Sequence, residues 1–161
     1  ISHSGNKSVV IYIAANADAA KYSSHANNLE HLQGVAQRLS LDDSKKYKLQ
    51  FFYYRPNLVW GTTDVAANIN HAEKIVVGIV SSTEANVNTD YTYEEVITLE
   101  KTEGWKEYNI TFDLPDIIQK NPGKSFEKCA IFFNIVPEID SAQKTLKTLV
   151  NLDDISLTET K

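Results

Sequence analysis

From Tyr108 to Leu114 hydrophobic and polar residues alternate without a break. Tyr108, Ile110, Phe112 and Leu114 fall on one side, Asn109, Thr111 and Asp113 on the other. A period of two is the side-chain rhythm of a β-strand with one face in a core and one in water. The same rhythm runs through Tyr47, Leu49, Phe51 and Tyr53, and the chain closes on a further strand-like run, Leu149-Val-Asn-Leu-Asp-Asp-Ile-Ser-Leu157. About eight strands are predicted, near Lys7–Ala14, Gly34–Leu41, Lys46–Arg55, Lys74–Ser82, Glu94–Leu99, Lys106–Leu114, Glu127–Val136 and Thr148–Thr158. Turn chemistry separates several of them, at Asp42-Asp-Ser-Lys45, Arg55-Pro-Asn57, Thr102-Glu-Gly104 and Asn121-Pro-Gly-Lys124. The last is the strongest, because Pro presets φ and Gly accepts a positive one. Leu114-Pro-Asp-Ile-Ile-Gln-Lys120 predicts a single helical turn that starts at Pro115 or Asp116. The class this pattern defines is all-β, a two-sheet antiparallel β-sandwich with Phe51, Ile110, Phe112 and Phe133 in its core.

Two stretches break the rhythm. Ala14–Gln33, rich in Ala, Asn, Ser and His, and Asn57–His71, polar around one large aromatic at Trp60, both read as long loops. Loops of that length in a compact domain are usually functional or disordered. At 161 residues, residues 1–161 are expected to form one domain with a substantial core. Eight of the aromatics are Tyr, which suits half-buried pleated surfaces. A net charge of −5 disfavours nucleic acid or an anionic membrane as partner. No apolar run approaches the roughly 20 residues that span a bilayer. The single cysteine, Cys129, excludes an internal disulfide and a cysteine metal cage, and reads as a buried inert thiol. With no Met in the chain, Ile1 reads as the first residue of a mature or trimmed segment.

Catalytic motifs are missing. There is no G-x-S-x-G, H-E-x-x-H, P-loop or dinucleotide fingerprint. His3, His25, His31 and His71 are scattered through the N-terminal segment and loops, without a helical ligand spacing. Glycosidases need two facing carboxylates. Glu94-Glu95 and Asp153-Asp154 are adjacent on strands and so point to opposite faces. No catalytic residue and no required cofactor follows. Asp153 and Asp154 keep two readings, oxygen ligands of a structural calcium or polar residues finishing an edge strand.

Binding chemistry is better represented. Sugar rings present apolar C–H faces rimmed by hydroxyls, and proteins hold them with flat aromatics and planar amide, carboxylate or guanidinium groups. If Tyr47, Leu49, Phe51 and Tyr53 face the core, then Gln50, Phe52 and Tyr54 face outward. By the same alternation Arg38 points outward from the preceding strand, and Phe132 and Asn134 from the late one. Were these strands to share a sheet, the six side chains would form one amphipathic face, tuned by the Trp60 loop. Phe52, Tyr54 and Phe132 also have the plainer role of a satellite cluster beneath loops, which at any one position ranks somewhat ahead of ligand contact. Trp105, after a Thr-Glu-Gly turn, reads as a structural residue closing the end of the core.

Taken in order, Gly5-Asn-Lys-Ser-Val-Val-Ile11, Val35-Ala-Gln-Arg-Leu-Ser-Leu41, Lys45-Lys-Tyr-Lys-Leu-Gln-Phe-Phe-Tyr-Tyr-Arg55, Gly104-Trp-Lys-Glu-Tyr-Asn-Ile-Thr-Phe112 and Val150-Asn-Leu-Asp-Asp-Ile-Ser-Leu157 resemble jelly-roll carbohydrate-binding modules with a galactose-binding-domain-like fold. Such modules are appended to bacterial polysaccharide-degrading enzymes or carried by surface glycan-binding proteins of gut Bacteroidetes. The resemblance spans most of the chain and its motifs are mainly structural. It implies a non-enzymatic domain, possessed of a poly- or oligosaccharide ligand, outside the cytoplasm. It also implies Asp153 as the residue that would carry a calcium ion. In that family an opening segment ahead of the first matched strand often completes the calcium site, and the matched residues here begin just after it.

Carbohydrate binding by Arg38, Gln50, Phe52, Tyr54, Trp60, Phe132 and Asn134 is therefore the expected function. The rival is a structural or adhesive cell-surface domain that contacts a partner protein or a neighbouring domain.

Overall fold

The computed structural model describes residues 4–5, 7–13, 33–55, 72–81, 92–99, 104–137 and 148–160. Within them lie, in order, β1 (Val9–Ile13), β2 (Gln33–Leu39), β3 (Lys46–Tyr54), β4 (Ala72–Ser81), β5 (Tyr93–Thr98), β6 (Lys106–Asp113), α1 (Leu114–Lys120), β7 (Cys129–Pro137) and β8 (Thr148–Thr160). Each of the eight predicted strands is present, displaced by a few residues at most. The long stretches between β1 and β2 and between β3 and β4, with Trp60, His25, His31 and His71, lie outside the described residues, as does His3 ahead of β1.

The strands form two antiparallel four-stranded sheets, ordered β1-β8-β3-β6 and β2-β7-β4-β5. At every link except β4 to β5 the chain passes from one sheet to the other. Sequence neighbours therefore end up on opposite sides of the core. The core between the sheets is built from the residues the alternation marks: Leu49, Phe51 and Tyr53 of β3 and Ile110 and Phe112 of β6 meet Ile75, Val77 and Ile79 of β4 and Ile131, Phe133 and Ile135 of β7. Phe51 and Phe133 touch edge to face across the two sheets, with ring centroids 5.1 Å apart. Cys129 is buried here too, and burial pushes its thiol up to about 12, which keeps it protonated and unreactive.

Local chemistry explains where the chain turns. The Asp42 carboxylate accepts both the backbone N–H and the hydroxyl of Ser44, at 2.9 and 2.7 Å, and these bonds hold its carboxyl below the usual carboxylate range. The Lys45 N–H reaches back to the Asp42 carbonyl at 3.0 Å, so the link between β2 and β3 is a tight crossing from one sheet to the other. At the end of β6, Asp113 caps α1 by accepting the Asp116 N–H, with Pro115 in the first turn and Lys120 paired to Asp116 four residues on. The cap and the pair carry the helix to two turns, one more than predicted. Its Leu114 and Ile117 plug one end of the core. Gly123, at φ 86°, then closes the Asn121–Lys124 turn.

Strand β8 contains an irregularity that rearranges side chains. Gln50 pairs with Ser156, but Phe52 pairs with Asp153, so Asp154 and Ile155 together oppose Phe51. This is a β-bulge, with Asp154 at φ 48°. The extra residue reverses the alternation: Val150 and Leu152 face the core before the bulge, and Leu157 packs against it after.

Candidate functional site

Each sheet turns its second face away from the common core, and the six described candidate residues divide between those two faces. Gln50, Phe52 and Tyr54 lie on β3, in the sheet with β1, β8 and β6, while Arg38 lies on β2 and Phe132 and Asn134 on β7, in the other sheet. The single amphipathic face expected from the sequence does not form. The reason is the crossing at Asp42–Lys45, which pairs β2 with β7 and β3 with β6 and β8.

On the β2-β7-β4-β5 sheet, Phe132 sits opposite Ala36 on one neighbour and Gly78 on the other. A Cβ at Gly78 would overlap the Phe132 ring and the Tyr93 carbonyl, and one at Gly34 would overlap the Asn134 side chain and the Phe133 carbonyl. The two glycines are thus what let Phe132 and Asn134 lie low over the neighbouring strands. Phe132 is 3% exposed and belongs to a second buried cluster with Val76, Val80 and Ala130. The expectation that Phe132 stands exposed is corrected: an apolar face on both sides of β4 and β7 makes these strands dry inside and out. Asn134 is half-buried beside it, and Arg38 is exposed on β2.

The face of the other sheet is accessible. Gln50, Phe52 and Tyr54 are half-buried along β3. The Tyr54 ring meets Trp105, with centroids 5.7 Å apart and planes tilted by 41°. Trp105 is therefore half-buried on the outer side of the sandwich and not, as the sequence suggested, a plug at the end of the core. Its parity is the signal that finds it. Trp105 is in step with Glu107, Asn109 and Thr111, the exposed positions of β6, and out of step with buried Ile110 and Phe112.

Beside the rings runs a polar row. Gln50 Nε2 donates to Glu107 Oε1 at 2.9 Å, and Asn109 Nδ2 donates to the same oxygen at 2.8 Å. Register explains the convergence: Gln50 is opposite Asn109, and Phe52 is opposite Glu107. On its other side Phe52 is opposite Asp153, and Tyr54 is opposite buried Asn151. Three aromatics thus share a face with three amides and two carboxylates. Further along β3 the face becomes ordinary solvated surface, with Lys46 paired to Asp113 at 2.5 Å.

Asp153 is held by backbone donors. Its Oδ1 accepts the Asp154 N–H at 2.9 Å and its Oδ2 the Ser4 N–H at 3.3 Å, while the Ser4 hydroxyl donates to Asp154 at 2.5 Å. The N-terminal segment thus supplies a partner for the terminal carboxylates, as a cation site would require, but the partner is an N–H and a hydroxyl. Among the described residues no group of three acidic, His or Cys side chains gathers to hold a metal.

No protein-family model matches the sequence, and no curated protein does. Solved structures match in fold. A CBM4 carbohydrate-binding module superimposes with a TM-score of 0.50 at 16% identity, covering 80% of this chain and 61% of that one. A CBM28 module specific for non-crystalline cellulose superimposes with a TM-score of 0.54 at 12% identity, covering 99% of this chain and 80% of that one. The chain thus spans less than two thirds of the CBM4 structure's length. The architecture is the jelly-roll β-sandwich of carbohydrate-binding modules. No helix among the described residues is long and apolar enough to cross a membrane.

Proposed function

We propose that this chain binds carbohydrate without transforming it, as a glycan-binding module working outside the cytoplasm, where polysaccharides are met. The observation that carries the reading is the Tyr54–Trp105 ring pair beside the Gln50–Glu107–Asn109 row on an accessible sheet face. Half-buried rings offer apolar area to the C–H face of a pyranose, and the row offers hydrogen bonds to its hydroxyls. The fold likeness to carbohydrate-binding modules supports the same class of ligand. So small a contact gives modest affinity, on the order of micromolar to millimolar.

Titration of a panel of soluble polysaccharides tests it, with Tyr54→Ala and Trp105→Ala on one face and Arg38→Ala and Asn134→Ala on the other. Loss of binding in the first pair with an unchanged circular dichroism spectrum is the expected result, and no reducing sugar is released. Loss only in the second pair moves the site to the β2-β7-β4-β5 face. Silence across the panel removes the reading.

A second reading rests on its own observation. Val9, Val10 and Ile155 are 39%, 53% and 41% exposed, and Val9 and Ile155 open onto a cleft of about 370 Å³ between the sheets, lined also by Val35, Leu39 and Leu157. Exposed aliphatics gathered at one edge favour a protein partner, and a panel without a binder promotes this adhesive role.

A further inference from the structure

We propose that the sugar-binding face of β3 and β6 selects uncharged sugar units and rejects uronic and sulfated ones. The inference rests on the glycan reading above and goes on to name the charge class of the ligand. Glu107 Oε1 accepts an N–H from each of two amides, Gln50 and Asn109. One N–H of each amide is thereby committed to the carboxylate, and the carbonyl oxygens are turned away from it. Among the described residues no donor reaches Gln50 Oε1, Asn109 Oδ1 or the second oxygen of Glu107. Three acceptor oxygens in a row, one of them charged, are matched by groups that give hydrogens. Sugar hydroxyls do so, and a hydroxyl donating to a carboxylate makes a stronger bond than one donating to a neutral oxygen.

A sugar carboxylate or sulfate has no hydrogen to give at neutral pH and brings a like charge. It would meet two carboxylates, because Phe52 is flanked in register by Glu107 on β6 and by Asp153 on β8. The aromatic surface a sugar would stack on lies inside that acidic frame. Among the described residues, the basic groups of this face lie away from the rings. Lys46 is tied to Asp113, and Lys48 lies beyond Gln50, at the end of the row away from Tyr54 and Trp105. The Lys106 side chain alternates to the other side of β6 from Glu107.

The test uses soluble glucan, xylan, galactan and mannan, each paired with a derivative of the same backbone bearing carboxylates, titrated calorimetrically at low salt. Whichever neutral polymer binds, its carboxylated form should bind weaker by roughly tenfold, with the gap shrinking as salt screens the frame. Glu107→Gln keeps the shape of the row and removes a charge, so it should narrow the gap by several-fold while the circular dichroism spectrum stays unchanged. Equal or tighter binding of a carboxylated polymer overturns the selectivity and leaves glycan binding intact. A gap that Glu107→Gln does not alter also overturns it. If no polymer binds in either form, the glycan reading itself fails, and the selectivity with it.

Discussion

Strands β3 and β4 hold the same third place in their sheets and both send alternate residues into the shared core, yet their opposite faces differ completely. Behind β4, Val76 and Val80 are as dry as Ile75 and Val77 in front. Behind β3, Gln50, Phe52 and Tyr54 remain partly accessible and share the surface with Glu107 and Asn109. The first arrangement spends aromatic area on stability. The second leaves aromatic area where a ligand can use it. An outward-facing aromatic therefore has no fixed meaning until its surroundings are known, and Phe132 and Phe52 make the point: both alternate away from the core, and only one is accessible.

The largest expected effect is the one that separates those two residues. Phe132→Ala should cost roughly 3–5 kcal/mol, as for any buried aromatic emptied to a cavity. Phe52→Ala should cost about 1 kcal/mol or less, since its ring is partly in water already. Urea unfolding of the two variants measures both, and equal losses would mean that the β3 face is as dry as the β4 face. The next effect is steric. Gly78→Ala places a methyl group against the Phe132 ring and the Tyr93 carbonyl, so it should destabilise by about 1–3 kcal/mol. A neutral or stabilising outcome would show that the ring moves aside freely and that the dry face is loosely packed.

The smallest effect concerns Asp153, at the border of the accessible face. We expect its carboxylate to act structurally, given that Ser4 and Asp154 already supply its hydrogen bonds. Thermal unfolding with calcium and with chelator should then superimpose, because a cation bound only to the native state must raise apparent stability. A clear upward shift with calcium would make Asp153 a ligand and alter the charge of the acidic frame around Phe52.

How much of this was written in the sequence can be argued residue by residue. The alternation in β3 and β6 is strict, so Phe51, Ile110 and Phe112 could be assigned to the core, and Gln50, Phe52, Tyr54 and Asn109 to the outside, from parity alone. Trp105 and Glu107 obey the same parity and could have been assigned with them. They were obscured because a Trp after a turn resembles a core plug. Strand β8 hides its facing for another reason: Leu152 and Leu157 are both inward but five residues apart, an odd spacing that only the Asp154 bulge reconciles with one face. Phe132 hides because Ala130-Ile-Phe-Phe-Asn-Ile135 is nearly continuous in apolar residues, and such a run does not say which of its two faces is wet.

By itself the sequence determined the local facts: where strands run, which of their faces is apolar, and where Asp42 and Pro122-Gly123 turn the chain. These follow from backbone geometry and side-chain period, which act over a few residues. Only the tertiary structure decided which strands share a sheet. It parted Arg38 and Asn134 from Gln50 and Tyr54, brought Trp105 to Tyr54 across 51 positions of chain, and set Glu107 and Asp153 on either side of Phe52. Strand pairing is chosen by the packing of the whole core and by links that change sheet at nearly every step, and that choice is made over distances along the chain that no local pattern records.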